Sequence, residues 1–151
     1  MTKTILITGA TSGFGKAIAE TFAAAKWNCV ITGRREEKLL AFADMLQKDF
    51  GVEVLPLVFD VQNRSQVFDA IASIPTQWQH IDVLVNNAGL ALGRDSFEVA
   101  DIDDWDTMIN TNVKGLLYVS KAVMPLMIAN KKRHIINIGS TAAKDMYQFG
   151  N

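Results

Sequence analysis

The start of the chain constrains its fold more than any other stretch, because it combines a short apolar strand, a glycine-rich turn and the beginning of a helix. Residues 5–7 form an apolar run that is typical of a buried strand. Gly9, Gly13 and Gly15 follow at a G-x-x-x-G-x-G spacing. Glycines in this position permit a tight turn, a close approach of the backbone to a ligand and tight packing of the helix on the strand.

The helix that follows the turn completes a cradle for an anion. Its apolar residues recur at helical spacing, and we expect four of them to pack on the strand: Phe14, Ile18, Ala19 and Phe22. The free N–H groups and the positive end of the helix dipole favour a phosphate at the turn. Hydroxyl groups of Thr8, Thr11 and Ser12 surround the same turn, which favours this interpretation over the alternative of an ordinary turn.

The end of the second predicted strand, residues 29–32, carries two arginines. In a dinucleotide-binding fold this strand end meets the adenosine ribose, where an acidic residue holds the 2′-hydroxyl of NAD and arginine accommodates the 2′-phosphate of NADP. Gly33 stands at the acidic position, and Arg34 and Arg35 follow it. A guanidinium can bind phosphate through two parallel hydrogen bonds, so we predict NADP, with Arg34 as the stronger candidate. The alternative is a solvated pair that bonds to the two glutamates that follow.

Strands and helices alternate along the rest of the chain. Beyond residue 36 we predict helices at 37–50, 64–74 and 103–128, and strands at 52–59, 81–85 and 134–139. With right-handed crossovers, this pattern predicts an α/β doubly wound parallel sheet of strand order 3-2-1-4-5 with helices on both faces, in three layers. Pro56 indicates that the third strand lies at an edge of the sheet or contains a local irregularity.

Several polar or small residues follow the other strands, at the edge of the sheet where we expect a ligand. Asn86 and Asn87 can tie neighbouring strands together, and the small residues Ala88 and Gly89 let a ligand approach the backbone. Asp60 follows the third strand. Its residue type and position also suit a cap of the next helix, which would be a purely structural role. Ser140 directly follows the fifth predicted strand.

Asn112 interrupts the apolar stripe of the long helix, which we expect to bend at Gly115 and near Pro125. A buried amide must be hydrogen-bonded, so the presence of an asparagine in this stripe requires an explanation. A structural bond to a neighbouring helix is one reason, and a place in an active site is the other.

Composition excludes several classes of protein. Hydrophobic residues make up 49% of the chain, charged residues 21%, and the net charge is −1, which favours neither nucleic acid nor a membrane surface as a partner. Cys29 is the single cysteine, so a disulfide framework is excluded; we expect Cys29 to be a core residue and the protein to be cytoplasmic, without a signal peptide. Two histidines and one cysteine, widely spaced, predict no metal site.

These motifs together resemble, in the right order, those of the short-chain dehydrogenase/reductase family. The resemblance covers the whole chain and is closest to the bacterial NADP-dependent 3-hydroxy acid dehydrogenases, also described as serine or allo-threonine dehydrogenases. The family resemblance is carried by the residues Thr8-Gly9-x-x-x-Gly13-x-Gly15, Asn86-Asn87-Ala88-Gly89, Asn112 and Ser140. The closer resemblance to this subgroup is carried by the stretches Thr32-Gly-Arg-Arg35, Asn86-Asn-Ala-Gly-Leu-Ala-Leu-Gly93 and His134-Ile-Ile-Asn-Ile-Gly-Ser-Thr-Ala142.

The resemblance implies a Rossmann fold, an NADP-dependent oxidoreductase acting on a small-molecule substrate, and a homo-oligomer, dimer or tetramer, formed through the long helix. On that helix we expect Tyr118, Lys121 and Met124 to face outward as candidates for the contact. It implies that Ser140 binds the substrate oxygen and that Asn112 holds a water in a proton relay. Asp60 and the Val61 backbone would meet the adenine. The full set of coenzyme-binding residues would be Gly9, Ala10, Thr11, Ser12, Gly13, Phe14, Gly15, Arg34, Arg35, Asp60, Val61, Asn87, Ala88 and Gly89.

The family's catalytic tyrosine and the lysine four residues later are expected beyond Asn151. Tyr147 lies too near Ser140, and the residue four positions later is Asn151 rather than lysine. We therefore expect residues 1–151 to be the N-terminal part of a single Rossmann-fold domain that continues for about a hundred residues. The rival interpretations are a carbonyl reductase of another substrate class and, for these residues alone, an inactive nucleotide-binding module.

Overall fold

The structure, a computed structural model, describes residues 2–93, 95–131 and 134–144. Its strands are β1 (Thr4–Ile7), β2 (Asn28–Gly33), β3 (Val54–Val58), β4 (Val83–Asn86) and β5 (His134–Asn137). Its α-helices are α1 (Gly13–Ala24), α2 (Glu36–Phe50), α3 (Arg64–Ala72), α4 (Ile102–Met108) and α5 (Leu116–Ala129). A π-helix, Ile109–Gly115, joins α4 to α5, and short 3-10 turns occupy Thr76–Trp78 and Thr141–Ala143.

The strands form one parallel sheet in the order β3-β2-β1-β4-β5, which confirms the predicted topology. Ile5 pairs with Cys29 on one side and with Val83 on the other, so β1 lies at the centre. Pro56 lies in β3 at the sheet edge, where its missing N–H leaves no gap in a ladder. The carboxyl ends of all five strands therefore open on the same side.

Two apolar clusters lie on the two faces of the sheet, because successive strand residues point to opposite faces. Ile5 and Ile7 belong to the cluster that contains residues of α1 and α2. Leu6 belongs to the other, which contains residues of α3 and α5. Cys29 is fully buried in the first cluster, as expected. The two clusters confirm helices on both faces.

Two side chains do not lie where the periodicity predicted. Phe14 is 77% exposed, and α1 instead packs through Gly15, Ala19 and Ala23. The expectation that Phe14 covers the strand is wrong because the buried stripe of α1 runs through Gly15 and the residues four and eight positions later, and Phe14 lies beside that stripe on the cavity wall. A second expectation, that the aromatic ring of Tyr118 faces outward, is also wrong, since it packs partly buried against the second cluster.

The long helix departs from α-helical geometry in the stretch that ends at Gly115, where a bend was expected. Residues 109–115 are π-helical, and a Cβ at Gly115 would lie only 2.8 Å from Val61 Cγ2. The glycine therefore lets the helix approach the segment that follows β3. Pro125 lies inside α5. No helix within the described ranges is long and apolar enough to cross a lipid bilayer.

Candidate nucleotide site

A cavity of about 1170 Å³ opens at the carboxyl ends of the strands. It brings together nearly all of the side chains that the motifs singled out, from the glycine turn to Ser140. Ala10 and Gly15 do not line it, because both are buried behind the turn. Residues that the sequence did not single out also form its wall: Thr32, Phe59, Leu90, Ala91, Thr111, Leu116, Asn137, Ile138 and Gly139. Phe59, Asn137 and Ile138 directly follow or end a strand, which was the available signal for these three.

The glycine turn has the backbone geometry that only glycine adopts readily. Gly9 has φ +67° and Gly13 has φ +56°, both in the left-handed region. A Cβ at Gly15 would overlap the Gly9 carbonyl oxygen and Asn87 Nδ2. The three glycines thus make the tight turn and the close packing that were predicted, and the first N–H groups of α1, which have no intrahelical partners, face the cavity end of the helix.

Hydrogen bonds tie this turn to the end of β4. Thr8 Oγ1 accepts from the backbone N–H of Asn87 at 3.0 Å and of Ala88 at 2.9 Å. Asn87 Nδ2 donates to the carbonyl oxygens of Thr8 at 2.9 Å and Gly9 at 3.2 Å. The amide of Asn87 therefore shapes the turn. Its predicted place on the wall of the cavity is also observed.

The neighbouring amide ties β4 to β5. Asn86 Nδ2 donates to Asn137 Oδ1 and to Ser120 Oγ, each at 2.9 Å. These bonds join two strands and α5 just below the cavity floor. The prediction that the two asparagines connect neighbouring strands is confirmed.

The two arginines after β2 reach different parts of the cavity wall. Arg34 Nη1 lies 3.4 Å from Asp60 Oδ2. Arg35 Nη2 donates to Thr11 Oγ1 at 3.0 Å and lies 3.5 Å from Ser12 Oγ. Within the described residues, the alternative pairing with the two following glutamates does not occur. A glycine cradle with free N–H groups and two guanidinium groups on one wall fits a phosphate-rich dinucleotide with an additional phosphate.

Asp60 does not cap the next helix. Asn63 is the N-cap of α3, and its side chain accepts from the N–H of Gln66 at 3.2 Å. Asp60 Oδ1 instead accepts from the N–H of Gln62 at 3.0 Å, which shapes the turn after β3. Asp60 thereby keeps its second carboxylate oxygen toward Arg34. The capping alternative is wrong because the N-cap position of the helix lies three residues after Asp60.

Asn112 lies in the π-helix and is exposed, so the expectation of a buried amide is wrong. Its Oδ1 accepts from the N–H of Leu90 at 2.9 Å, and its Nδ2 donates to the Leu90 carbonyl at 2.7 Å. The amide therefore bonds to a loop backbone rather than to a neighbouring helix. Asn112 also lines the cavity.

Ser140 lies after β5, on the opposite side of the cavity from the arginines. Its Oγ accepts from the N–H of Ala142 at 3.2 Å, so this bond does not use the hydroxyl hydrogen. A serine hydroxyl can therefore donate to a ligand in the cavity. Tyr147 lies outside the described residues. Within the ranges that the structure describes, no three His, Cys, Asp or Glu side chains could together hold a metal ion.

Comparison with known proteins agrees with this geometry. The family model for short chain dehydrogenase matches residues 3–151. The NADP-dependent 3-hydroxy acid dehydrogenase YdfG of Salmonella typhi is 50% identical over 147 residues, which is 97% of this chain and 58% of that protein. The chain thus spans less than two thirds of the length of such relatives.

Solved structures show the same likeness. Serine dehydrogenase from Escherichia coli superposes with a TM-score of 0.89 at 45% identity, over 96% of this chain and 65% of that one. A closed form of serine dehydrogenase complexed with NADP+ superposes with a TM-score of 0.88 at 44% identity, over 97% of this chain and 58% of that one. Since the family model covers nearly every residue and the motifs meet in one cavity, the chain belongs to the short-chain dehydrogenase family.

Proposed function

We propose that the protein is an NADP-dependent oxidoreductase that transfers a hydride between NADP(H) and the hydroxyl or carbonyl carbon of a small substrate. The proposed substrate is a 3-hydroxy acid such as L-serine, L-allo-threonine or 3-hydroxypropionate. The observation that carries the proposal is the presence of two guanidinium groups on the wall of the same cavity as the glycine turn. The coenzyme and substrates for which the similar proteins are named support the proposed coenzyme and substrate class.

The residues present would hold the coenzyme at three places. The glycine turn and the start of α1 would bind its pyrophosphate, and Arg34 and Arg35 its 2′-phosphate. Asp60 and the Val61 backbone would contact the adenine. Bound NADP supplies the hydride acceptor or donor, and the protein orients it.

Ser140 would bind the reacting oxygen of the substrate. Its hydroxyl would donate a hydrogen bond to that oxygen and so polarise the carbonyl or stabilise the alkoxide. The family resemblance implies a tyrosine and lysine after Ser140 that would move the proton. Asn112 would keep the Leu90 loop in place beside the substrate end of the cavity, through the two bonds to its backbone, and its proposed part in a proton relay stays a prediction.

Copies of the protein would associate through the long helix. Of the three residues predicted to face outward, Lys121 and Met124 are exposed, as are Leu117 and Ile128 on the same helix. An exposed apolar stripe of this kind favours a protein interface. The dimeric or tetrameric state and the cytoplasmic location stay predictions.

A titration of the full-length protein with NADP+ and NAD+ tests the coenzyme. We expect NADP+ to bind more tightly, and Arg34→Ala to lower its affinity by about tenfold, since a hydrogen bond to a charged group contributes about 1.5–3 kcal/mol. Arg64→Ala is the matched control, because Arg64 lies at the start of α3 and does not line this cavity. Equal affinities for the two coenzymes in the unsubstituted protein would contradict the proposal.

A second measurement separates the rival functions. Turnover with a panel that includes L-serine, L-allo-threonine and 3-hydroxypropionate should exceed turnover with sugar and steroid alcohols. Faster turnover of the latter would support a reductase of another class. Coenzyme binding without turnover of any alcohol would support the nucleotide-binding module.

A further inference from the structure

Position 33 has no side chain, and one residue of the glycine turn occupies the space that a side chain would need. A Cβ built on Gly33 would lie 2.8 Å from Thr11 Cγ2, which is closer than real Cβ atoms approach a carbon. The next nearest atoms are Leu39 Cδ1 at 3.6 Å and Thr11 Oγ1 at 3.7 Å, both at ordinary contact distance. The Thr11 methyl group is therefore the obstacle at position 33.

The same threonine holds Arg35. Its Oγ1 accepts from Arg35 Nη2 at 3.0 Å, while the second acceptor, Ser12 Oγ, is farther away at 3.5 Å. A guanidinium has five N–H donors, so a bond to Thr11 leaves the others free for a phosphate. A long side chain that is already held at the cavity wall loses less conformational entropy when a ligand binds.

The methyl and the hydroxyl of Thr11 cannot move independently. Both are attached to Cβ, and threonine occupies few staggered rotamers. Rotation that moves Cγ2 away from a new side chain at position 33 also moves Oγ1 away from Arg35. The clash at one residue would thus be relieved by losing the hydrogen bond to the other.

We infer that Thr11 is a positioning residue for coenzyme selection, which holds the Arg35 guanidinium on the cavity wall only while residue 33 lacks a side chain. This inference rests on the proposed selection of NADP. It has a consequence for position 33: an aspartate placed there to bind the ribose of NAD displaces Thr11 unless the threonine is first shortened to serine. Gly33 and Thr11 therefore form one unit that discriminates between the two coenzymes.

The test uses adenosine 2′,5′-bisphosphate and AMP as probes, titrated by calorimetry into the full-length protein and its variants. Gly33→Ala should lower the preference for the bisphosphate by about tenfold, the equivalent of one charge-assisted hydrogen bond of about 1.4 kcal/mol. Thr11→Ser keeps Oγ1 and removes the methyl, so by itself it should lower the preference far less than the removal of the hydroxyl does. The double variant Thr11→Ser/Gly33→Ala should restore the preference.

Thr11→Val is the second arm, because it leaves position 33 untouched and removes only the hydroxyl. It should lower the preference by the same factor, even where Gly33→Ala does not fold. A merely structural role for Thr11 would weaken both probes equally. An unchanged preference in Thr11→Val, or no recovery in the double variant, overturns the inference and leaves the proposed function standing. An unsubstituted protein that binds both probes equally instead overturns the proposed function.

Discussion

The turn after β1 and the segment after β5 both line the cavity, yet they are held in very different ways. Thr8 is 2% exposed, and its hydroxyl accepts two hydrogen bonds from residues nearly eighty positions away. Ser140 is exposed, and the bond that its hydroxyl accepts comes from Ala142, two residues away. One hydroxyl is part of the framework, and the other is available to a ligand.

The difference follows from the position of each strand in the sheet. β1 lies at the centre and is buried throughout, whereas β5 lies at an edge and is only half-buried. We therefore expect substitutions in the turn after β1 to lower stability, and substitutions after β5 to affect chemistry with little change in stability. Three predictions test this contrast, ordered by their expected effect on stability, and a fourth concerns the thiol in β2, beside β1.

Gly15→Ala should cause the largest loss. The added Cβ overlaps the Gly9 carbonyl and the Asn87 amide, and overpacking of this kind costs about 1–3 kcal/mol. Gly139→Ala is the matched control in the segment after β5, because nothing lies within 4 Å of a Cβ there and its change should stay within about 0.5 kcal/mol. Urea unfolding of both variants measures the difference, and equal losses would contradict the contrast.

Thr8→Val should lower the free energy of unfolding by about 2 kcal/mol, because two partly buried N–H groups lose their acceptor. Thr8→Ser retains the oxygen and should recover most of that loss. Thermal unfolding followed by circular dichroism compares the three proteins. A serine variant as unstable as the valine variant would show that the methyl group matters, and that the hydrogen bonds do not.

Ser140→Ala should change stability by only about 0.5 kcal/mol, because the bond that it removes lies at an exposed 3-10 turn. In the full-length protein the same variant should lower kcat/KM by about 100-fold or more, the effect of losing one donor to a reacting oxygen. Steady-state kinetics and unfolding of the same preparation are compared. Full activity in the variant would remove Ser140 from the proposed chemistry.

Titration of the Cys29 thiol should have the smallest effect on stability near neutral pH. Burial raises the pKa of its thiol to about 12, so the native thiol should not react with a thiol reagent at pH 8, whereas the urea-unfolded chain should. Because the folded pKa lies above the unfolded value of 9.0, the thiol's contribution to stability is complete below pH 9 and is lost as the pH rises toward 12. Cys29→Ala should lack this part of the alkaline destabilisation. Rapid labelling of the native protein would show that β2 opens readily.

Local patterns predicted the architecture and the composition of the site well. Apolar runs and helical spacing predicted the five strands, and the right-handed crossovers expected of a parallel sheet predicted the order in which they are observed to lie. Positive φ at Gly9 and Gly13 agrees with a turn that was predicted from glycine spacing alone. The predicted edges of the elements differ from the observed ones by at most two residues.

Contacts between distant segments were predicted less well. The bidentate bond between Asn112 and the Leu90 backbone depends on how the π-helix lies against the loop after β4. The close approach of Gly115 to Val61 depends on the same packing. Neither contact produces a periodic pattern in the sequence, because one depends on a single asparagine and the other on a single glycine.

By itself, the sequence determined which residues turn, which are buried and which strand ends carry polar groups, because these depend on backbone preference and on hydrophobic spacing along a short stretch. Only the tertiary structure decided that Phe14 faces outward, that Arg34 meets Asp60 and that Arg35 meets Thr11. These outcomes depend on where separate strand ends come to lie at one edge of the sheet. The partner of a long side chain is set by that three-dimensional arrangement, and not by its neighbours along the chain.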